Sequence, residues 1–393
     1  MLNVAAHNGF LSVARFLRNR LSHRSDIRVA VDSTKRRFID DPRFKHDLVV
    51  AGFADRRTKD VDDSAILSRI LSAYHLAKRD EANAPATFKV SNEWIPIYEN
   101  DMRDVMTALV RRDVPALQRI YENFFREQCS TGIAGQPVNM QKEYFGETIT
   151  AFHKDLYLCD TLHRIELWRR LTGNKYPLSA LSSTDIGNPY GITIDGIFIR
   201  TCAEHHHYYA QEVSRLVPSA ATVIELGGGF GGMAYYLLRD NHSISYVDLD
   251  LPEGVALTSY YLMKSFPERN FVLYGEAEVS PELFSSPAGL TVLLPAHAIG
   301  KIPPQSTDLV FNSYSLAEMS PEAIREYVRQ LTRISRTYFL HLNHNRHSAL
   351  PADKFGIEDH GYTLLSRKFT EWNTGRSMRS DEFEYLYKRQ GVV

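Results

Sequence analysis

A short β-branched run, Val223-Ile224, leads directly into Glu225-Leu226-Gly227-Gly228-Gly229-Phe230-Gly231-Gly232. A strand that ends in so many glycines must turn more tightly than side chains allow. Glycine accepts the left-handed dihedrals such a turn needs, and it lets backbone come close to a ligand. The helical pattern that follows puts free N–H groups and the positive end of a helix dipole beside the turn. This constrains the chain to an α/β fold with a ligand site at the carboxyl end of a strand.

Gly227, Gly229 and Gly232 satisfy the GxGxxG spacing of dinucleotide sites, and Gly231 extends it to ExGxGxG. Glu225 separates the two readings. A carboxylate two residues before the first glycine would lie near a pyrophosphate, where like charge is unfavourable. It suits the ammonium group of S-adenosylmethionine (SAM). SAM is therefore the expected cofactor, and a nucleotide or an empty strand–helix turn is the alternative. The next strand ends in Asp248-Leu249-Asp250-Leu251-Pro252-Glu253, roughly 20 positions after the glycines, where a ribose-binding carboxylate belongs. Alternation puts Asp248 and Asp250 on one side of that strand, so either could hold the ribose.

The rhythm of the sequence changes near residue 180. Residues 1–180 read as a mostly helical N-terminal domain, with helices over 10–21, 63–76, 102–111, 114–127 and 148–171. Residues 181–393 alternate β-branched runs with helical patterns. That alternation predicts a doubly wound, mostly parallel sheet, closed by an antiparallel pair over 361–366 and 382–387; with the glycine loop and Glu225 the expected fold is a Rossmann-like SAM-methyltransferase core. Ser320 ahead of Pro321 marks a helix start. The helical part is expected to cap the core, recognise substrate, or form a homo-oligomer.

Bulk properties exclude some classes. The net charge is -1, so no global basic field would draw nucleic acid. No run reaches the ~18 apolar residues of a membrane span. Cys129, Cys159 and Cys202 match no zinc or redox spacing. With no apolar secretory segment in residues 1–20, they suit a reducing, cytoplasmic setting.

Several segments together resemble the bacterial sugar O-methyltransferases. They are Ile186-Gly187-Asn188-Pro189-Tyr190-Gly191, the glycine loop, Asp250-Leu251-Pro252-Glu253 with Tyr260-Tyr261-Leu262, and Asn312-Ser313-Tyr314-Ser315-Leu316-Ala317-Glu318-Met319. Asn123-Phe124-Phe125-Arg126 in the helical part also fits. The resemblance implies methyl transfer from SAM to a hydroxyl of a sugar, nucleotide-sugar or glycan, with Asn312 beside the cofactor. A sugar hydroxyl is a weak nucleophile and needs help losing its proton. His344, after the fifth strand, is the candidate base, because imidazole titrates near neutrality. Glu318, after the fourth strand, would orient it or bind a hydroxyl. Arg200, His206 and Tyr208 are candidates for contacting the acceptor. The spacing of His341, His344 and His347 leaves a divalent metal open, although no ligand set is assigned. A methyltransferase for a non-sugar metabolite and a non-catalytic SAM-fold binding protein are the competing functions.

Overall fold

The structure, a computed structural model, describes residues 35–57, 61–91, 94–134, 149–285, 288–345, 348–372 and 381–392. The helix expected over 10–21 lies outside them. The helical part runs α1 (His46–Gly52), α2 (Ser64–Glu81), α3 (Ile95–Asn100), α4 (Arg103–Arg111), α5 (Val114–Glu122) and α6 (Ala151–Leu171). Thr150 starts α6 with a capping box: its hydroxyl accepts from the His153 N–H, and His153 Nδ1 accepts from the Thr150 N–H. Helix α6 buries residues all round, from Tyr157 and Leu158 to Arg164 and Trp168. It is a core helix, not a surface one.

A hairpin, β1 (Gly191–Ile194) and β2 (Ile197–Arg200), joins the helical part to the core. This hairpin is not among the elements predicted from the sequence. The signal was present: Asp195-Gly196 sits between alternating apolar residues, and both take positive φ (51° and 78°), as a two-residue hairpin turn requires.

The core continues with α7 (Ala203–Leu216), β3 (Thr222–Leu226), α8 (Gly232–Asp240), β4 (Ser245–Asp250), α9 (Pro252–Ser265), β5 (Phe271–Leu273), α10 (Pro281–Phe284), β6 (Thr291–Pro295) and β7 (Thr307–Ser313). It ends with α11 (Pro321–Ile334), β8 (Ser335–His344), β9 (Tyr362–Phe369) and β10 (Glu382–Arg389). Ser320 caps α11 as expected, accepting from the Ala323 N–H at 3.2 Å. The sheet order is β5-β6-β4-β3-β7-β8-β10-β9. Strands β3 to β8 are parallel, and β10 lies antiparallel between β8 and β9. The order reverses between β3 and β7. That reversal opens a crevice at the carboxyl ends of both strands, the usual ligand position in such sheets.

The change of rhythm near residue 180 is not a break in packing. One apolar cluster runs from Val49 in α1 through Trp168 in α6 to Tyr261 in α9 and Trp372. Buried polar groups tie α2 and α3 to α9. Glu253 accepts from Tyr74 Oη and Tyr98 Oη, both at 3.2 Å, and lies 3.1 Å from Lys78 Nζ. Asp63 accepts from Tyr260 Oη at 2.7 Å and pairs with Lys264. Among the described residues, no helix is long and apolar enough to cross a membrane.

Candidate cofactor and acceptor site

A cavity of about 1150 Å³ opens over the carboxyl ends of the parallel strands. Its floor is the glycine loop. Gly227 and Gly229 have φ of 75° and 62°, which a side-chain-bearing residue adopts only at a cost. The two have different roles. A Cβ on Gly227 would lie 2.5 Å from Ser315 Oγ, whereas a Cβ on Gly229 would meet nothing nearer than Ile133 Cγ2 at 3.4 Å. Gly227 is therefore needed for packing, while Gly229 leaves its open side to the cavity it lines.

Three carboxylates gather at this floor. Glu225 and Asp248 are parallel-register partners on β3 and β4, and Asp250 is the last residue of β4. Burial pushes the Glu225 carboxyl up to about 7; the Tyr246 hydroxyl, donating at 2.6 Å, opposes this, and the charge of Asp250 adds to it. Burial pushes Asp250 up to about 6, against the N–H groups of Leu251 and Gly229 that donate to it at 2.7 and 3.0 Å. Asp248 is raised well above the carboxylate range by burial, then by the charges of Asp250 and Glu225. Like charges crowded in a low-dielectric site repel an anion and favour a cation. A ligand bearing ammonium and sulfonium groups fits this set, and a pyrophosphate does not.

Asp248 and Asp250 share a side of β4, as alternation requires, but differ in depth. Asp250 lines the cavity. Asp248 is fully buried beneath the loop, where Oδ1 accepts from the Gly228 N–H at 3.2 Å. Asp248 therefore holds the loop and does not form the cavity wall. Gly231 also turns away: a Cβ there would meet Leu262 and Thr258 of α9. Asn312 is buried too. Its Nδ2 donates to Leu226 O at 2.9 Å and to Ser315 Oγ at 2.5 Å, and its Oδ1 accepts from Asn343. It pins the end of β3 to the turn after β7.

The far side of the cavity is built by the ends of β7 and β8. Tyr314 follows β7 with φ 67° and ψ -33°, a sparsely populated conformation for a bulky residue. Its ring stacks on His344 at 6.2 Å and 29°, and its hydroxyl donates to Glu382 Oε2 at 3.2 Å. His344 closes β8 and lines the cavity, and its Nδ1 is buried without a hydrogen-bond partner among the described residues. Glu318 lines the same space and accepts from Trp94 Nε1 at 2.9 Å. His341 lies away from it. Enclosed and stacked on Tyr385 (4.8 Å, 15°), it is pushed down to about 3 by burial. It does not share a face with His344, and His347 lies outside the described residues. No metal-binding group of three or more His, Cys, Asp or Glu occurs among the described residues.

Of the three acceptor candidates, His206 lines the cavity and Arg200 and Tyr208 do not. Arg200 is buried, its guanidinium over Phe230 (4.7 Å) and Phe125 (5.6 Å). Its Nη2 donates to His206 Nδ1 at 3.1 Å, so it acts by positioning His206. Tyr208 packs against Trp372 at 5.6 Å. The sequence reading missed Arg164, Trp94 and Glu382, all on the cavity wall. Arg164 and Trp94 come from helical segments whose pattern carries no sign of a ligand. Glu382 begins the closing strand.

No family model matches the sequence, and no curated protein matches it. Solved structures with similar parts include a TehB-like SAM-dependent methyltransferase from Corynebacterium glutamicum (13% identity, 58% of this chain and 100% of that one, TM-score 0.34). Others are the magnesium protoporphyrin IX methyltransferase of Synechocystis with bound S-adenosylhomocysteine (12%, 59% and 99%, TM-score 0.31) and a SAM-dependent methyltransferase from Aquifex aeolicus (16%, 46% and 88%, TM-score 0.30). The comparisons do not single out sugar O-methyltransferases. The strand order, with β10 antiparallel between β8 and β9, makes the core a Rossmann-like α/β methyltransferase fold.

Proposed function

We propose that this chain is a SAM-dependent O-methyltransferase acting on a hydroxyl of a sugar or glycan. The observation that carries the cofactor half is the pair of cavity-lining carboxyls, Glu225 and Asp250, beside a glycine loop whose Gly229 faces the cavity. When bound, SAM supplies a methyl group on a cationic sulfur, and its loss leaves a neutral thioether. Glu225 would take the ammonium group, and Asp250 the ribose hydroxyls. Both then keep the charge that burial otherwise opposes.

The acceptor half rests on the end of β8. His344, which lines the cavity, would take the proton that the acceptor hydroxyl releases as its oxygen gains the methyl group. Glu318 and Glu382, also on the wall, offer acceptors for neighbouring hydroxyls of a polyol. Trp94, Tyr98, Tyr314 and Trp372 provide flat apolar faces for the ring of a sugar. Those same faces favour a second reading, a flat hydroxylated metabolite.

The test is transfer of a labelled methyl group from SAM to a panel of free sugars, nucleotide-sugars, oligosaccharides and phenols. Transfer to a sugar is expected. His344→Ala should lower it about 100-fold or more while S-adenosylhomocysteine affinity is retained. Transfer to phenols alone would replace the sugar reading with the second one.

A further inference from the structure

Arg164 sits in the middle of α6, and its side chain is only 3% exposed. Its Nε donates to Asp160 Oδ2 at 2.9 Å, one turn earlier. Its Nη2 is buried and has no hydrogen-bond partner among the described residues. The residue lines the cavity, together with His206 of α7. A guanidinium withdrawn from water with a donor unsatisfied weakens a fold. An apolar side chain would fill this place in a core helix at no such cost. The arrangement makes sense if something that enters the cavity supplies the missing acceptor.

His206 is the second donor on this wall. Its Nδ1 accepts from Arg200, which leaves the proton of the neutral ring on Nε2. Burial, then the charges of Arg200, His205 and Arg164, hold the ring well below its ordinary pKa, so it is neutral. Glu204, at the start of α7, is the other carboxyl near Arg164. Burial pushes it up to about 7, against the pull of Arg164, so it is not a fixed counter-charge.

We propose that Arg164 is the anion-docking point of the cavity, its guanidinium donating to a carboxylate or phosphate oxygen of a bound ligand. This rests on the cofactor reading above and adds a charge requirement to it. Two ligands carry that chemistry: the carboxylate at the amino-acid end of SAM, and an acidic acceptor such as a uronate or a nucleotide-sugar. Arg164 lines the cavity, whereas Arg200 does not.

The experiment is calorimetric titration of wild type, Arg164→Met and Arg164→Lys with S-adenosylhomocysteine and its decarboxylated analogue. Inorganic phosphate is then titrated into protein saturated with S-adenosylhomocysteine. If the cofactor carboxylate docks on Arg164, wild type prefers S-adenosylhomocysteine to the analogue by about tenfold or more, Arg164→Met loses that preference, and Arg164→Lys keeps part of it. If the acceptor docks there, the variants bind both adenosyl ligands like wild type, but Arg164→Met no longer binds phosphate. The wild-type measurements stand even if a variant fails to fold. A wild type that neither prefers S-adenosylhomocysteine to the analogue nor binds phosphate overturns the proposal. So do variants that match wild type with all three probes. If neither adenosyl ligand binds wild type, the cofactor reading fails by itself, and phosphate titrated into ligand-free wild type and variants still tests Arg164.

Discussion

Trp94 Nε1 donates to Glu318 Oε2 at 2.9 Å, joining a residue just before α3 to the turn after β7 across the rim of the cavity. The helical part thus holds a carboxylate of the core in place. Trp94→Phe keeps most of the apolar surface and removes the donor. Losing one hydrogen bond to a charged group should lower kcat/KM roughly tenfold or more, with S-adenosylhomocysteine affinity retained. Steady-state kinetics with calorimetry checks this. An unchanged kcat/KM would show that the bond does not matter to turnover.

The glycines of the loop should divide into two kinds. Gly227→Ala puts a Cβ 2.5 Å from Ser315 Oγ and should lower Tm, because the packing at the end of β3 must give way. Gly229→Ala bears roughly 1–2 kcal/mol of left-handed strain but meets no close neighbour. That strain lowers Tm, as it does for Gly227→Ala, but without the added clash; the distinguishing cost of Gly229→Ala should be weaker adenosyl binding. Thermal melts and titrations on both variants check the division; a Gly229→Ala protein with wild-type affinity would contradict it.

Asp250 and Asp248 should separate in the same way. Asp250→Ala removes a carboxylate from the cavity wall and should weaken S-adenosylhomocysteine about tenfold or more. Asp248→Ala removes the support of the Gly228 N–H and should act first on Tm. Asp248→Ala weakening the ligand more, at unchanged Tm, would move the ribose contact to Asp248.

Glu225 gives a pH dependence of definite sign. Its folded pKa is about 7, against an ordinary 4.5, so the folded protein holds the proton over the interval where the unfolded chain loses it. Its contribution is fully present below pH 4.5 and falls by about 3 kcal/mol as pH rises to 7. Asp250, raised to about 6, acts with the same sign in any comparison. The difference between wild type and Glu225→Gln therefore reads Glu225 together with its charge coupling to Asp248. Thermal unfolding from pH 4.5 to 8 should show wild type losing stability relative to the variant as pH rises. Parallel curves would contradict the raised pKa.

The features legible in the sequence were those that depend on local chemistry. Glu225, the glycines, Asp250 and the Ser320 cap follow from dihedral freedom, strand ends and helix termini, and a few neighbouring residues report each of them. The cavity-lining place of His344 is legible because the sequence puts it at the end of a parallel strand. What the sequence hid was depth and distant packing. Asp248 and Asp250 share a side, but nothing local shows that one lies under the loop. Arg200 is taken out of the cavity by Phe125 and Phe230, which are remote in the chain. Arg164 looks like a surface residue of an amphipathic helix until α6 is seen to be buried all round.

The central claim is that the carboxylate floor holds an adenosyl cation and not a dinucleotide. Calorimetric titration of the full chain with SAM, S-adenosylhomocysteine and NAD tests it most directly. Saturable binding of the two adenosyl ligands, with no heat from NAD, is the predicted result. Saturable binding of NAD alone would contradict it.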